Sequence, residues 1–250
     1  MYVTHPLLQE PPDSARLWRY MDFAKFLHLL DAGTLHLAAL RTFNDPFEGY
    51  PTRSVVTSIS TAPSELTPEA EAERRAKVEG HLRLFRRARD KVFASCWHIN
   101  EQESAGMWTQ YVRAGEGIAV QTTFARLKEA IDPQGLSVSG ARVQYVDFDS
   151  FVANETNVVS WAALKRESFA HENEFRLIHF TLLSGPSGFA LPVKLGALIE
   201  NVYVAPTTPD WLYKLVMSLL AKFQFQLTVH RSTLADSPEY LASAAWPSRD

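Results

Sequence analysis

The chain is broken so often by turn formers that no single element can dominate its fold. Its 250 residues include 11 glycines and 14 prolines. The apolar runs between them suit single strands or helices of a few turns. Residues 15–20 read as a short aromatic strand. Asp22 then caps a helix whose face is Phe23, Phe26, Leu27, Leu29 and Leu30, and Gly33 closes it. A strand at 34–40, a loop at 43–50 and a polar, exposed connection at 51–68 follow. Residues 69–90 predict a helix led by Thr67-Pro-Glu, with its acids first and Arg83, Arg86, Arg87 and Arg89 last, the order a helix dipole favours.

Beyond it the pattern predicts strands at 92–97, 117–122 and 141–146, with helices at 106–112, 124–131 and 160–169. A strand at 174–183 is followed by a turn at 184–188 and an answering strand at 189–194. A strand at 198–204, a helix at 211–223 and a strand at 225–230 complete the series. In the last helix Leu212, Leu215, Val216, Leu219, Leu220 and Phe223 keep helical spacing. Short strands interleaved with short helices predict an α+β fold in a single domain over 1–250, with its core at about 15–232.

Composition removes several classes. At 46% hydrophobic and 21% charged, the chain is neither disordered nor coiled coil. A net charge of −3 argues against coating nucleic acid or membrane by bulk electrostatics, and no apolar run is long enough to span a membrane. The stripe of Arg83, Arg86 and Arg87 shares its helix with an acidic half, so it reads as a solvated face. Cys96 is the one cysteine, which excludes an intrachain disulfide and a cysteine-cluster zinc site. With no basic-then-apolar start at the N-terminus, a reducing cytoplasmic setting is expected. The dinucleotide-binding, phosphate-loop, nucleophile-elbow and zinc-protease signatures are absent, and the eight histidines are scattered, so no metal is expected.

Three stretches carry chemistry. In His171-Glu-Asn-Glu-Phe-Arg176, a strand beginning near Glu172 would put Glu172, Glu174 and Arg176 on one face. That reads either as a salt-bridged strand end or as a carboxylate pair at a cleft edge, with one acid positioned by Arg176. In Asn44-Asp-Pro-Phe-Glu48, Asn44 and Asp45 make a rigid turn that Phe43 and Phe47 would anchor in the core, which reads either as that turn alone or as one from which Asp45 and Glu48 reach a site. Around Ser95-Cys-Trp-His98 and Met107-Trp-Thr-Gln-Tyr111, Trp108 and Tyr111 share a helix face, as core or as a platform for a ligand ring. A Cys96–His98 nucleophile pair is disfavoured, because neighbours on one strand seldom meet in the required geometry.

Taken together these motifs resemble a widespread bacterial domain-of-unknown-function family. The shared features are Trp18-Arg-Tyr20, Gly33-Thr-Leu35, Phe-Asn-Asp-Pro-Phe-Glu at 43–48, Ser95, Met-Trp-x-x-Tyr at 107–111 and Glu-x-Glu-x-Arg at 172–176. The order of parts is also similar to the ADP-ribosyltransferases. That resemblance implies a mixed, split β-sheet flanked by helices, and NAD as a substrate whose nicotinamide–ribose bond is cleaved. It further implies Arg19 or Tyr20 on the NAD phosphate or ribose, Ser95 as the middle residue, Glu174 as catalytic carboxylate and Glu172 as its acceptor-side partner. Trp108 or Tyr111 would stack on a ring, and Arg176 would hold Glu174 ionised. The opening strand matches only loosely, and Cys96-Trp97 follow Ser95 where the arginine-type enzymes have Ser-Thr-Ser. The acceptor stays open between protein, nucleic acid and small molecule, with a toxin or phage-defence role among the settings. Two other readings stand beside it: a non-catalytic binding module, and a metal-dependent hydrolase or nuclease using Asp45, Glu48, Glu172 and Glu174.

Overall fold

The computed structural model describes residues 1–61, 67–111, 116–152, 157–182 and 187–237. Strand β1 (Arg16–Asp22) ends where Asp22 turns the chain into α1 (Phe23–Ala32), its carboxylate accepting the Lys25 amide at 2.8 Å. Helix α1 stops at Gly33, whose φ of 61° suits a residue without Cβ. Strand β2 (Thr34–Ala39), a 3-10 turn and the 43–50 loop lead to α2 (Arg53–Ser60) and the Thr67-capped α3 (Pro68–Ala88). Next come β3 (Val92–Ile99), α4 (Ala105–Tyr111), β4 (Gly117–Thr123) and α5 (Phe124–Ala130). Strands β5 (Ser139–Arg142) and β6 (Gln144–Val146), helix α6 (Val158–Trp161) and strand β7 (Leu164–Arg166) precede a 3-10 helix at Glu167–Glu172. The chain then forms β8 (Glu174–Phe180), β9 (Gly188–Pro192), α7 (Leu195–Leu198), β10 (Asn201–Val204), α8 (Asp210–Lys222) and β11 (Thr228–Arg231).

Several sequence expectations change, each because tertiary pairing overrides a local pattern. The stretch expected as an exposed connection contains α2, whose Val55, Val56 and Ile59 pack with Leu82, Phe85 and Trp161. Residues 62–66 of it lie outside the described residues. The helix expected at 160–169 ends at Trp161, because Leu164–Arg166 pairs in parallel with β6. The strand expected at 141–146 breaks at Val143, whose amide donates to the Glu174 carbonyl at 2.8 Å, so β5 joins β8 and β6 joins β7. Strand β9 answers β2 rather than β8, and most of the turn expected before it lies outside the described residues. Leu198 closes a helix instead of opening a strand, and β11 starts three residues late, after Gln224 leaves α8 at a φ of 61°.

Among the described residues nine strands form one mostly antiparallel sheet, in a mixed α/β domain with flanking helices. Strand β3 organises it. One edge of β3 pairs with β8 continuously from Val92 to His98. The other edge changes partner: its start pairs with β2 (Ala94 with Ala38), and its end pairs with β1 (His98 with Trp18). Between those pairs, beside residues 95–97, β1 and β2 part and the sheet splits.

Strand alternation gives the sheet two unlike faces. Leu17, Met21, Ile118, Val120, Val202, Phe93, Trp97, Phe175 and Leu177 form one face, covered by α1, α5, α7 and α8 in the main core. The opposite face carries Trp18, Tyr20, Gln121, Cys96, His98, Glu174 and Arg176. Among the described residues no helix is long and apolar enough to cross a membrane. Phe175 is fully buried and meets Phe124 edge-to-face at 5.2 Å between ring centroids. Its truncation to alanine should cost about 3–5 kcal/mol of unfolding free energy, read from the urea midpoint.

Candidate functional site

The split opens a cavity of about 500 Å³. Arg19, Met21 and Ser95 enter it from the core face of the sheet, and Tyr20, His36, Ala94 and Cys96 from the other, so it runs through the sheet between the parted strands. Helix α1 adds Lys25 and His28, one turn apart on the side turned from the core. Arg19 is half-buried and holds the parted strands together: it donates to Ser95 Oγ on β3 at 2.8 Å and to the His36 carbonyl on β2 at 3.2 Å. Its guanidinium also lies over the Trp97 ring, 5.7 Å from the centroid. No carboxylate belongs to the described lining, whereas Arg19, Lys25, His28 and His36 do. Burial, with Arg19 and His28 nearby, pushes the His36 imidazole below its ordinary value, as a positive field requires.

Tyr20, Cys96 and Tyr111 also line a second, smaller hollow of about 40 Å³. Its other described walls include His98, Glu172 and Glu174, so the annex is acidic where the cavity is basic.

Behind the annex lies a buried ion network. Arg176 has no exposed surface. It grips Glu174 with two hydrogen bonds of 2.8 and 2.9 Å, donates to the Ala162 carbonyl at 2.7 Å and pairs with Glu48. Lys165 contacts Glu172 at 2.5 Å, Glu174 at 3.2 Å and Glu48 at 3.5 Å. Three carboxylates thus face two cations. Burial alone would raise the Glu174 carboxyl, but Arg176, Lys165 and a hydrogen bond from the Cys96 thiol hold it at about 2. Glu48 absorbs the imbalance, its carboxyl pushed up by burial and by Glu174 against the pull of Arg176 and Lys165.

Local chemistry brings these groups together. Asp45 accepts the Phe47 amide at 3.0 Å as a side-chain-capped turn. Its carboxylate also pairs at 3.0 Å with Arg166, which lies over the Phe47 ring. Gly49 follows at a φ of 77°, with Leu40 Cδ1 only 2.8 Å from where a Cβ would stand, so this sharp turn into the interior needs glycine. At the other end Asn173 takes a φ of 36° and donates to the Ile99 carbonyl at 2.6 Å. Asparagine tolerates that conformation. Glu172 is therefore the last residue of a 3-10 helix rather than part of the strand. It meets Glu174 through Lys165, not through a shared strand face.

The structure thus brings Arg19, Tyr20, Ser95 and Tyr111 to the cavity, and Tyr20, Tyr111, Glu172 and Glu174 to the annex. It does not bring Asn44, Asp45, Glu48, Trp108 or Arg176 to the described lining of either. Asn44 is exposed, Asp45 fastens the loop to Arg166, and Glu48 and Arg176 sit behind Glu174. Phe47 is 40% exposed and packs on Phe148 rather than in the core. Trp108 and Tyr111 part company: Trp108 is buried against Tyr20 and donates to Glu103 at 2.9 Å, while Tyr111 is 43% exposed. Cys96 is a hydrogen-bonded thiol, raised well above its ordinary value by burial, and not a nucleophile paired with His98. Among the described residues no three His, Cys, Asp or Glu side chains converge as metal ligands, and the clustered acids are occupied by Lys165 and Arg176.

Sequence reasoning missed Lys165, Lys25, His28 and His36. Lys25 and His28 were accessible from their three-residue spacing opposite the apolar stripe of α1. Lys165 lies in a stretch whose pattern reads as helix, and nothing in it marks the pairing with β6.

Two outcomes test the network. Arg176→Met strands Glu174 and Glu48 in the interior and should cost about 3–5 kcal/mol, measured by urea unfolding at neutral pH. Glu174 is depressed below its unfolded value of 4.5, so its contribution is complete above that pH and is lost as pH falls toward about 2. Glu48, raised instead, contributes below 4.5 and loses that share as pH rises. In Glu174→Gln the decline in unfolding midpoint between pH 4.5 and 2 should flatten relative to the parent protein.

No protein-family model matches the chain, and no curated protein does. Among solved structures it is similar to DarT from Thermus sp. 2.9 in complex with NAD+, at 11% identity and a TM-score of 0.40, covering 90% of this chain and 98% of that one. DarT in complex with ADP-ribosylated single-stranded DNA matches at 10% identity and a TM-score of 0.41, covering 90% and 97%. DarT with carba-NAD+ gives 11% identity and a TM-score of 0.38, covering 89% and 97%.

Proposed function

We propose that the protein consumes NAD, cleaving the bond between nicotinamide and ribose and transferring ADP-ribose to an acceptor or to water. The observation that carries this reading is the opposition of sign between two adjoining hollows that share Tyr20, Cys96 and Tyr111. The basic cavity, with Arg19, Lys25 and two histidines and no described acid, suits a pyrophosphate. The acidic annex is too small to hold the nicotinamide ring itself, but its Glu172 and Glu174 suit the positive charge that grows on a ribose at its mouth as the bond breaks.

Residue roles follow from position. Arg19 uses two of its five donors on Ser95 and His36, which leaves others for phosphate oxygens in a fixed orientation. Tyr20, Cys96 and Tyr111 stand where the hollows meet, and Tyr111 offers the ring for stacking. Glu174 keeps its charge because Arg176 and Lys165 pin it from behind, so stabilisation of an oxocarbenium ion requires no rearrangement at the moment of reaction. Arg176, Lys165 and Glu48 are positioning residues in this scheme. The resemblance of Glu172-x-Glu174 to the Gln/Glu-x-Glu of the ADP-ribosyltransferases agrees with it.

Added NAD should raise the melting temperature of the parent protein and release nicotinamide, followed by chromatography. Arg19→Ala should lose most of the thermal shift while retaining the parent's melting temperature without ligand to within a few degrees. No shift and no nicotinamide from the parent protein would overturn the reading.

A further inference from the structure

Two groups of the described annex lining have unfinished hydrogen bonding, the Trp97 indole N–H and the His98 ring, and of the two only His98 can offer a lone pair. It is 5% exposed, on the strand that joins the two halves of the sheet. Its Nδ1 lies 2.6 Å from the Glu172 backbone carbonyl. A carbonyl only accepts, so Nδ1 carries the proton and donates it. The neutral ring then has a bare lone pair on Nε2, and buried Nε2 has no partner among the described residues. An acceptor kept unpaired in a buried hollow is costly unless something comes to it.

The carbonyl that fixes this tautomer is itself fixed. Asn173, next in the chain, accepts the Ile99 amide at 2.8 Å and donates its side-chain amide to the Ile99 carbonyl at 2.6 Å. The turn holding His98 is therefore clasped to the residue that follows His98.

From this geometry we infer that His98 Nε2 is the base that takes the proton from the acceptor, a hydroxyl group or water, during ADP-ribose transfer. The inference rests on the NAD-consuming reading. As the acceptor oxygen bonds to the anomeric carbon of the ribose, the carbon–nitrogen bond to nicotinamide breaks. The electron pair of that bond stays on the nicotinamide nitrogen, which leaves neutral. The acceptor's proton goes to Nε2, and the imidazolium so formed stands beside a cluster holding one carboxylate more than its cations.

The titratable and charged groups around the ring are Tyr20 from β1, Cys96 from β3, Tyr111 from α4, Glu172 and His171 from the 3-10 helix, and Glu174 from β8. Burial, aided by His171, lowers the His98 imidazole below its usual 6.5 against the opposing pull of Glu172. The free base therefore predominates at neutral pH, and turnover should fall only on the acid side of 6.5.

Three measurements on the full chain decide the matter. Nitrogen NMR of the histidines in the parent protein at neutral pH should find Nε2 of His98 unprotonated and Nδ1 protonated. The opposite tautomer would overturn the inference whatever the enzyme does with NAD. His98→Gln should retain the NAD-induced thermal shift, lose about 10²–10⁴-fold in kcat, and lose the acid limb of the parent pH profile. Parent-like kcat with an unchanged acid limb would overturn the base while leaving NAD consumption intact. Absence of NAD binding by the parent protein would instead overturn the underlying reading and this role with it. Should His98→Gln fail to fold, the tautomer and the parent acid limb decide.

Discussion

Everything at the site depends on Arg176 finding its partners. A guanidinium with no exposed surface must be paired or the fold fails, and its pairing draws three separate parts of the chain together: the loop carrying Glu48, the strand carrying Glu174 and the carbonyl of Ala162. Lys165 adds the 3-10 helix through Glu172. Such a network is a poor source of stability, because desolvating its charges offsets most of their attraction. What it supplies is position. Glu174 is presented ionised and oriented in the annex wall, on an element with few alternatives.

The sheet contributes the other half of the arrangement. Arg19 and Glu174 belong to opposite faces of it, yet serve adjoining hollows because β1 and β2 part beside residues 95–97. Unsplit, the sheet would leave the arginine under α1 in the core and the glutamate on the far side. The parting leaves a basic cavity lined from both faces of the sheet, beside a smaller hollow with acids in its wall.

Much of the frame was legible from residues alone. Asp22 and Gly33 mark α1 at both ends, Thr67-Pro-Glu marks α3, and the apolar spacing of 212–223 marks α8, all through local chemistry that tertiary contacts leave untouched. The motifs at 43–48 and 172–176 stood out by composition, and Arg176 joins them through Glu48. What stayed hidden was pairing between remote segments. Alternation does not tell whether β9 answers β8 or β2, nor that Leu164–Arg166 lies along β6 in place of a continued helix. A period of two put Glu172 and Glu174 on one strand face. They converge through a left-handed Asn173 and a lysine that the pattern placed in a helix.

Strand β3 has one further consequence. Among the described residues it pairs with both wings of the sheet on its divided edge, two residue pairs to each, and Arg19 adds a side-chain bridge between them. Changes in β11 or β9, at the outer margins, are free to stay local. Any change that tilts β3 alters the width of the aperture between the wings. Sequence drift should accordingly be tolerated at the rims of this protein and penalised along its keel, whatever molecule the aperture admits.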